Sequence, residues 1–531
     1  MTPMDSSSDL LTTLLFIPLL TALLAFAARW TGNAARTLST VIHGVGITTL
    51  LVLTLVAVGE IMSGGPLSAL NHWAYVDTLG VIFVALIGLV GFITGLYSIG
   101  YMGHEQREGH ITIAQLCNYY GIFNLFAFTM LLAATANNII MMWVAIEATT
   151  LGSAFLVGFY GKRSSLEAVW KYIIICTVGV AFGLYGVVLV YSNAANALPQ
   201  PGDAAYWTVL LQHAQLLDPT LTKLAYVFVL IGFGTKAGLF PMHAWLPDAH
   251  SEAPSPISAL LSAVLLNCAM LVVLRFTMLV SKTIGPEFPQ TLLIIFGVMS
   301  IAVAAFFIVV QRDIKRLLAY SSVENMGLIA LALGIGGPLG VLAGLLHTIN
   351  HSLAKALLFC GSGNVLLKYG SPHMDKVRGL LKVAPLTGVM LAAGALAIGG
   401  VPPFNIFVSE FMLVTAGLKL GHGVLIVFVL LLLTVVLAGL VRMLAGTVFG
   451  AAPEGMKKGE AGVLTVLPMA VLLALMLIMG IRAPDSVMNL LQNATQVVLL
   501  GSAPSVQIAV ATPTEATAAA PEQSGTQAGS Q

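Results

Sequence analysis

The stretch GFGTKAGLFPMHAWLPDAHSEAPSP, from Gly232 to Pro256, decides how the rest of the chain is read. A lysine, Lys236, stands in an apolar run with no charge beside it. Five residues later Pro241 removes a backbone donor. Pro247, Pro254 and Pro256 follow, interleaved with His243, Asp248, His250 and Glu252. A charge in hydrocarbon and a broken helix are both costly, and both are tolerated where they face a protein interior or a wet path. The stretch therefore predicts a broken transmembrane helix around a buried lysine. The remaining chain is expected to hold that lysine and a few partners in a line across a membrane.

Composition supports that frame. Of 531 residues, 58% are hydrophobic and 8% are charged, with a mean hydropathy of +0.95, whereas soluble domains carry roughly a quarter charged residues. The fold class is an all-α polytopic membrane protein embedded in lipid. A net charge of +1 gives no reason to expect a nucleic-acid partner. Cys117, Cys176, Cys268 and Cys360 are scattered singly, with no CxxC or Cys/His ligand spacing, so no iron–sulfur cluster, zinc or other cofactor is expected on this chain. The first apolar run, Leu10 to Ala28, follows an acidic N-terminus and is long enough to span, so it reads as a transmembrane helix and not as a cleavable signal.

Fourteen spans are predicted, near 10–28, 38–62, 78–101, 116–134, 138–160, 170–192, 223–242, 257–280, 290–310, 321–337, 340–367, 384–417, 424–448 and 462–481. The twelfth is too long for one straight crossing and contains GGVPPF, Gly399 to Phe404, so a second break is expected there. The seventh and twelfth segments hold matching places if 116–280 and 281–450 are two five-helix units. An odd number of helices per unit makes them an inverted repeat, and interrupted helices at matching places mark the transport path. Residues 1–115 then supply three N-terminal helices and 451–500 the fourteenth helix with a short interfacial segment. Residues 501–531, rich in Ala, Pro, Thr and Gln, read as a disordered tail. Odd-to-even connections with their flanking residues carry sixteen basic residues, against five, Lys223, Arg275, Lys282, Lys419 and Arg482, at the even-to-odd connections and the C-terminal end. This bias puts those connections in the cytoplasm and both termini on the outer side of a bacterial inner membrane.

Six ionisable side chains fall at membrane depth: Glu147, Lys236, His347, His351, Lys355 and Glu410. Each would cost about 2.5–3.5 kcal/mol if charged and unpaired at the bilayer centre. His347, His351 and Lys355 are spaced four and four, on one helical face. Each has a static alternative: Glu147 and Lys236 as a fixed ion pair, the histidines as interhelical hydrogen bonds. Alternating acid and base across several helices, however, is what a proton relay requires. Burial disfavours the charged form of both lysine and glutamate, and proximity restores it, so the distance between Glu147 and Lys236 would govern who holds the proton. Lys355 and Glu410 are expected to form the second charged pair or the exit step. Asp248, His250 and Glu252, with His243, form either a proton uptake point or a solvated turn. Glu324 is open in the same way, and Lys171 is read as an interface residue or a further relay member.

The motifs FGTKAGLFPMHAWLPDAHSEAPSPISALLS, QRDIKRLLAYSSVENMG, HTINHSLAKALLFCGSGNVL and GVPPFNIFVSEF resemble the antiporter-like membrane subunits of respiratory complex I and its relatives. The resemblance covers most of residues 116–420 and implies a fourteen-helix, inverted-repeat proton channel. By it, Glu147 matches a helix 5 glutamate, Lys236 the helix 7 lysine, His351 and Lys355 a helix 11 pair, and Glu410 the helix 12 acid of the subunit M type. Two positions depart from the pattern. The family's central helix 8 lysine is Asn267 here, and a helix 10 histidine is replaced around Glu324 and Asn325. The central step would then run through water, His347 and His351, or another residue. SEAPSPISALLSAVLLN, INHSLAKALLF and GNVLLKYGS are most similar to the hydrogenase-4 component F type. That resemblance implies a proton-translocating subunit without a redox centre of its own. Its partners would be other membrane subunits and a soluble redox arm carrying iron–sulfur and nickel–iron (NiFe) subunits. Complex I subunits M or N, Mrp-type cation/proton antiporters, an inorganic-carbon uptake complex and a membrane scaffold remain as alternatives.

Overall fold

The computed structural model describes residues 3–501, with side chains from Ser8 onward. Its longer helices in chain order are α1 (Pro3–Ala27), α2 (Ala35–Gly64), α3 (Gly80–Arg107), α4 (Ile113–Thr135), α5 (Ile139–Val157) and α6 (Arg163–Ala197). Next come α7 (Pro219–Ala237, resuming as Trp245–Glu252), α8 (Ser255–Ile284), α9 (Glu287–Val310), α10 (Ile314–Ile335) and α11 (Gly337–Tyr369). The last are α12 (Pro385–Ile398, resuming as Asn405–Lys419), α13 (Gly423–Thr447), α14 (Val463–Ile481) and α15 (Asp485–Leu500). Every segment read from the sequence as a span is helical, and both expected breaks are present. Among the described residues, eleven helical stretches are long and apolar enough to cross a membrane, with α1 and α2 forming one continuous stretch. The tail assigned to 501–531 lies, beyond Gly501, outside the described residues.

Local chemistry sets the helix ends. Thr112 and Gln115 form a reciprocal capping box at the start of α4. Asn138 accepts from the amides of Ile140 and Met141 at the start of α5, and Asp218 caps α7 through the Leu221 amide at 2.8 Å, with Pro219 in the first turn. These side chains satisfy amides that a helix N-terminus leaves bare. Gly238, at φ 77°, closes the first part of α7 in a left-handed turn that a side chain would strain.

The connections gather at two ends. At one, a hairpin of β1 (Leu67–Ala69) and β2 (Ala74–Val76) bridges to Ala136, and Asn137 accepts from the Trp207 amide at 2.7 Å. This ties the α2–α3, α4–α5 and α6–α7 connections together. At the other, Ile314 donates to Pro372, Met374 to Arg312 and Gly379 to Phe449, joining the α9–α10, α11–α12 and α13–α14 connections. The core lies along α8 and α10, whose apolar stretches are wholly buried, while α13 and α14 bury only a third of theirs. The outer helices turn large apolar side chains such as Leu151, Phe155 and Leu431 outward, as lipid contact requires.

Two basic residues that the sequence assigned to connections are buried. Lys315, in the first turn of α10, donates to the carbonyls of Ser251 and Ala253, which end α7. Arg275 of α8 forms a two-pronged ion pair with Asp77 at 2.6 and 2.7 Å, lies over the Trp207 ring at 4.3 Å, and is shielded from solvent. Asp77 also accepts from the Gly80 amide at the start of α3. Burial alone would raise the Asp77 carboxyl; the Arg275 charge and hydrogen bonds outweigh it and hold the carboxyl below its ordinary value.

Asp77→Ala leaves the Arg275 charge buried and unpaired and should cost about 3–5 kcal/mol, read as a lower unfolding midpoint in detergent. Exchanging both partners for Leu and Met should recover most of the loss. Because the carboxyl is held low, the pair's contribution is complete above about pH 4 and is lost as pH falls through the depressed folded value. A single variant as stable as the parent would refute the assignment.

Candidate functional site

Lys236 sits in the last full turn of α7 before the break and is completely buried. Its amine donates to the Thr150 hydroxyl at 2.9 Å and to the Tyr172 hydroxyl at 2.5 Å. The Tyr172 and Trp245 rings lie 4.6 and 5.8 Å from the amine, and such contacts are worth about 2 kcal/mol when desolvated. Glu147, one turn before Thr150 on α5, is half-buried. Its carboxylate accepts from Thr177 at 3.1 Å and from Thr150 at 3.4 Å. Among the described residues Glu147 and Lys236 form no ion pair; Thr150 stands between them and touches both. Tyr172 in turn shares a 2.6 Å hydrogen bond with Ser153.

Close helix approach makes this possible. A Cβ on Gly232 of α7 would collide with the Gly183 backbone of α6, and one on Gly179 would strike Thr235. Such small residues let helices pack without intervening side chains. The break contains the cis bond Phe240–Pro241, and that in α12 contains cis Pro402–Pro403.

On α11, His347, His351 and Lys355 are all buried but reach three different neighbours. Lys355 donates to the Leu318 carbonyl at 2.8 Å and to the Ser321 hydroxyl of α10. His351 contacts the Ser262 carbonyl of α8 at 3.3 Å. His347 bridges Asn325 of α10 at 3.1 Å and Ser409 of α12 at 2.9 Å. Asn325 also donates to the Glu324 carboxylate and to the Ser321 carbonyl. Polar groups therefore line up from Lys355 past Ser321, whose hydroxyl meets the lysine and whose carbonyl meets Asn325, through His347 to Ser409.

The expected contact between Lys355 and Glu410 is not formed. After the α12 break, Ser409 and Asn405 face α11, where they bind His347 and Asn350. Glu410 follows one residue on, about 100° around the helix, and its carboxylate rests against Gly400. The carboxylate on the Lys355 side is Glu324, three residues after Ser321 on the same helix.

Between the two clusters, α8 makes a π-helical turn over Leu261–Leu265. Such turns release carbonyls from regular helical pairing. The Ala263 carbonyl accepts from Asn267 at 2.9 Å and from Ser352 at 2.6 Å, and Asn267 also donates to Ser352. Several buried polar atoms here have no protein partner among the described residues: Asn267 Oδ1, His351 Nδ1, Glu324 Oε1, both ring nitrogens of His250, and His243 Nδ1 at the α7 break. Buried polar groups without partners are where bridging water is accommodated.

Asp248, His250 and Glu252 part company. The second piece of α7 turns Leu246 and His250 inward, where His250 is fully buried beside Phe359, while Asp248 and Glu252 face outward. His250 is thus not part of a solvated turn. Asp248 accepts from Lys171 at 3.1 Å and from Arg316 at 2.7 Å; Lys171 also pairs with Glu167 at 2.7 Å, and Ser164 donates to Glu252. These residues line a cleft of about 130 Å³. Lys171 is half-exposed and belongs to this charged cleft, not to the buried line.

A family model described as NADH:quinone oxidoreductase/Mrp antiporter, transmembrane, matches residues 136–437, taking in every one of these residues. The chain belongs to this family. A second model, the N-terminus of complex I chain 5, matches residues 68–110. The antiporter-like chain is 43% identical to a hydrogenase-4 component F homolog of Methylacidiphilum infernorum over 64% of its own length and 72% of that protein. It is 32% identical to hydrogenase-4 component B of Escherichia coli over 63% of its length and 49% of that protein. Its fold matches a chain of the membrane-bound sulfane sulfur reductase, an archaeal respiratory membrane complex, with a TM-score of 0.82 over 92% of this chain and 98% of that one, at 24% identity.

Sequence reasoning missed Thr150, Tyr172, Ser321 and Ser409 in this antiporter-like subunit. The only signal was hydroxyl side chains one turn from, or beside, an ionisable residue, as in Glu147–Thr150 and Ser409–Glu410. Gly400, at φ 69° under the Glu410 carboxylate, has no room for a side chain. Gly400→Ala should displace that carboxylate and cost about 1–3 kcal/mol, measured by thermal unfolding. Gly59→Ala, inside α2 where a Cβ meets nothing within 4 Å, should not lower the midpoint. Equal midpoints for both variants would refute the close approach.

Proposed function

We propose that this chain is the proton-translocating subunit of a redox-driven membrane complex. Glu147, Lys236, His347, His351, Lys355 and Glu410 form its relay, assisted by Glu324. The observation that carries the reading is the hydroxyl-bridged couple Glu147–Thr150–Lys236, a buried amine held next to a carboxylate but not fused to it. A direct buried ion pair would trap its charges. A hydroxyl between them accepts from the amine and donates to the carboxylate, so a proton can pass while both ends stay solvated by polar contacts. In the second half, Lys355 meets the Ser321 hydroxyl and His347 the Ser409 hydroxyl on the way toward Glu410; Asn325 holds His347 in place, and water would carry the proton past its amide. Asn267, His351 and His250 lie at the join, where water would complete the step. The cleft of Lys171, Asp248, Glu252 and Arg316 is the proton uptake mouth, with His243 at the break.

In this reading the chain crosses the membrane fourteen times. Residues 1–115 are peripheral helices, 116–280 and 281–450 are inverted five-helix repeats, and 451–500 close the bundle. The basic-residue bias puts both termini on the outer side of a bacterial inner membrane. In this reading electron transfer takes place on partner subunits, an iron–sulfur arm of the nickel–iron hydrogenase type.

The experiment is proton uptake by membrane vesicles holding the intact complex. Lys236→Met and Thr150→Val should each cut uptake at least tenfold, about 1.4 kcal/mol, with assembly retained, and Thr150→Ser should restore most of it. Assembled Lys236→Met complex with parental proton flux would overturn the proposal.

A further inference from the structure

At the end where the α9–α10, α11–α12 and α13–α14 connections meet, a cleft of about 660 Å³ is lined by Arg312, Asp375, Arg378, Arg442 and Phe449. This lies in the range of ligand sites, about 300–1,000 Å³. Three guanidinium groups face one carboxylate, and among the described residues none of the three arginines makes an ion pair. Arg442 reaches from α13 to donate to the Gln311 carbonyl at the end of α9, which fixes its planar fork and leaves further N–H groups free. Arg312 and Arg378 project from the two connections on either side and are exposed.

Beside this basic floor the surface is apolar. Phe306 and Val310 on α9, and Val441 and Phe449 on the α13 side, are all exposed large hydrophobic residues. A soluble anion would use the arginines and leave that wall bare. A phospholipid uses both.

We propose that this cleft binds an anionic phospholipid of the cytoplasmic leaflet, its phosphate held by Arg312, Arg378 and Arg442 and its acyl chains along α9 and α13. Guanidinium groups suit phosphate through paired hydrogen bonds, and basic pockets between membrane helices on the cytoplasmic side take such headgroups. The lipid would staple the second half at its three connections, far from the buried relay; the leaflet rests on the orientation proposed above, but the inference does not depend on proton transfer.

The full chain, purified in mild detergent with whatever subunits accompany it and then delipidated, provides the test. Phosphatidylglycerol should raise its unfolding midpoint by several degrees and remain bound in native mass spectrometry. Phosphatidylcholine and inorganic phosphate should do neither. Arg312→Gln combined with Arg378→Gln, both at exposed positions, should abolish the shift without changing the lipid-free midpoint. An equal shift from phosphatidylcholine would mean a purely apolar groove, and the same shift from inorganic phosphate a soluble-anion site. Either result, or retention of the shift in the double variant, overturns the proposal. If the variant fails to assemble, competition between the two lipids on the parent protein still decides.

Discussion

A lysine amine cannot be left bare among hydrocarbon side chains, and the first half of this protein is arranged around that constraint. Hiding Lys236 requires α6 and α7 to touch backbone to backbone, which Gly183 and Gly232 permit. It also requires hydroxyl oxygens at the amine, supplied by Thr150 and Tyr172. Finally it requires an aromatic wall. Trp245 lies nine residues beyond Lys236, which in an unbroken helix would put it about 13 Å farther along the axis. The turn from Gly238 to Ala244 brings the chain back, so the indole lies 5.8 Å from the amine while its N–H is satisfied by the Thr235 carbonyl at 3.0 Å. The break in α7 is thus part of the lysine's solvation, not merely a weak point near it.

The second half meets the same cost by another route. Lys355 has no aromatic wall; it is solvated by a backbone carbonyl, Leu318, and by Ser321. Lys315, near the end of the bundle, is held by two carbonyls at the end of α7. Arg275 has a full counter-charge in Asp77. These are three different solutions to one desolvation problem. Lys236 and Lys355, the lysines met by hydroxyl groups, form no ion pair among the described residues, although Glu147 and Glu324 lie on their sides of the bundle. That separates a locked pair, Arg275 with Asp77, from the lysines of the proposed relay.

Much of this was legible in the sequence, for identifiable reasons. A charge inside a long apolar run is conspicuous, so Lys236, Glu147 and Lys355 could be named directly, and the prolines after Lys236 and in GGVPPF announced both breaks. Arg275 was misassigned because it lies close to the end of an apolar run, where hydropathy cannot distinguish a loop from a buried last turn. His250 stays ambiguous in sequence because Asp248 and Glu252 beside it suggest solvent, whereas helical rotation sends it the other way. Thr150, Tyr172 and Ser409 were not visible because isolated hydroxyl groups are common in membrane helices and carry no charge. The π-helical turn in α8 leaves no mark in SALLSAVLLN, since small and aliphatic residues suit either helix. Which partner Lys355 selects depends on the rotation of α12 after its break, a property of packing and not of spacing.

The two charged clusters meet at a junction that has no ionisable group of its own on α8. There the fully buried helix offers carbonyls released by its π-helical turn, and Asn267 and Ser352 fill them. An amide cannot take up or release a proton at ordinary pH, so a lysine-to-lysine hop through α8 is not available. Anything passing between the halves must use His351, whose one nitrogen faces the Ser262 carbonyl while the other has no protein partner among the described residues, or must act through the field of one cluster on the other. At an effective dielectric near 20, a unit charge about 10 Å away still contributes on the order of 1.5 kcal/mol, enough to shift a balanced proton equilibrium roughly tenfold. A junction of amide and hydroxyl groups can therefore transmit the charge state of one half to the other through this field, alongside a water-mediated step at His351.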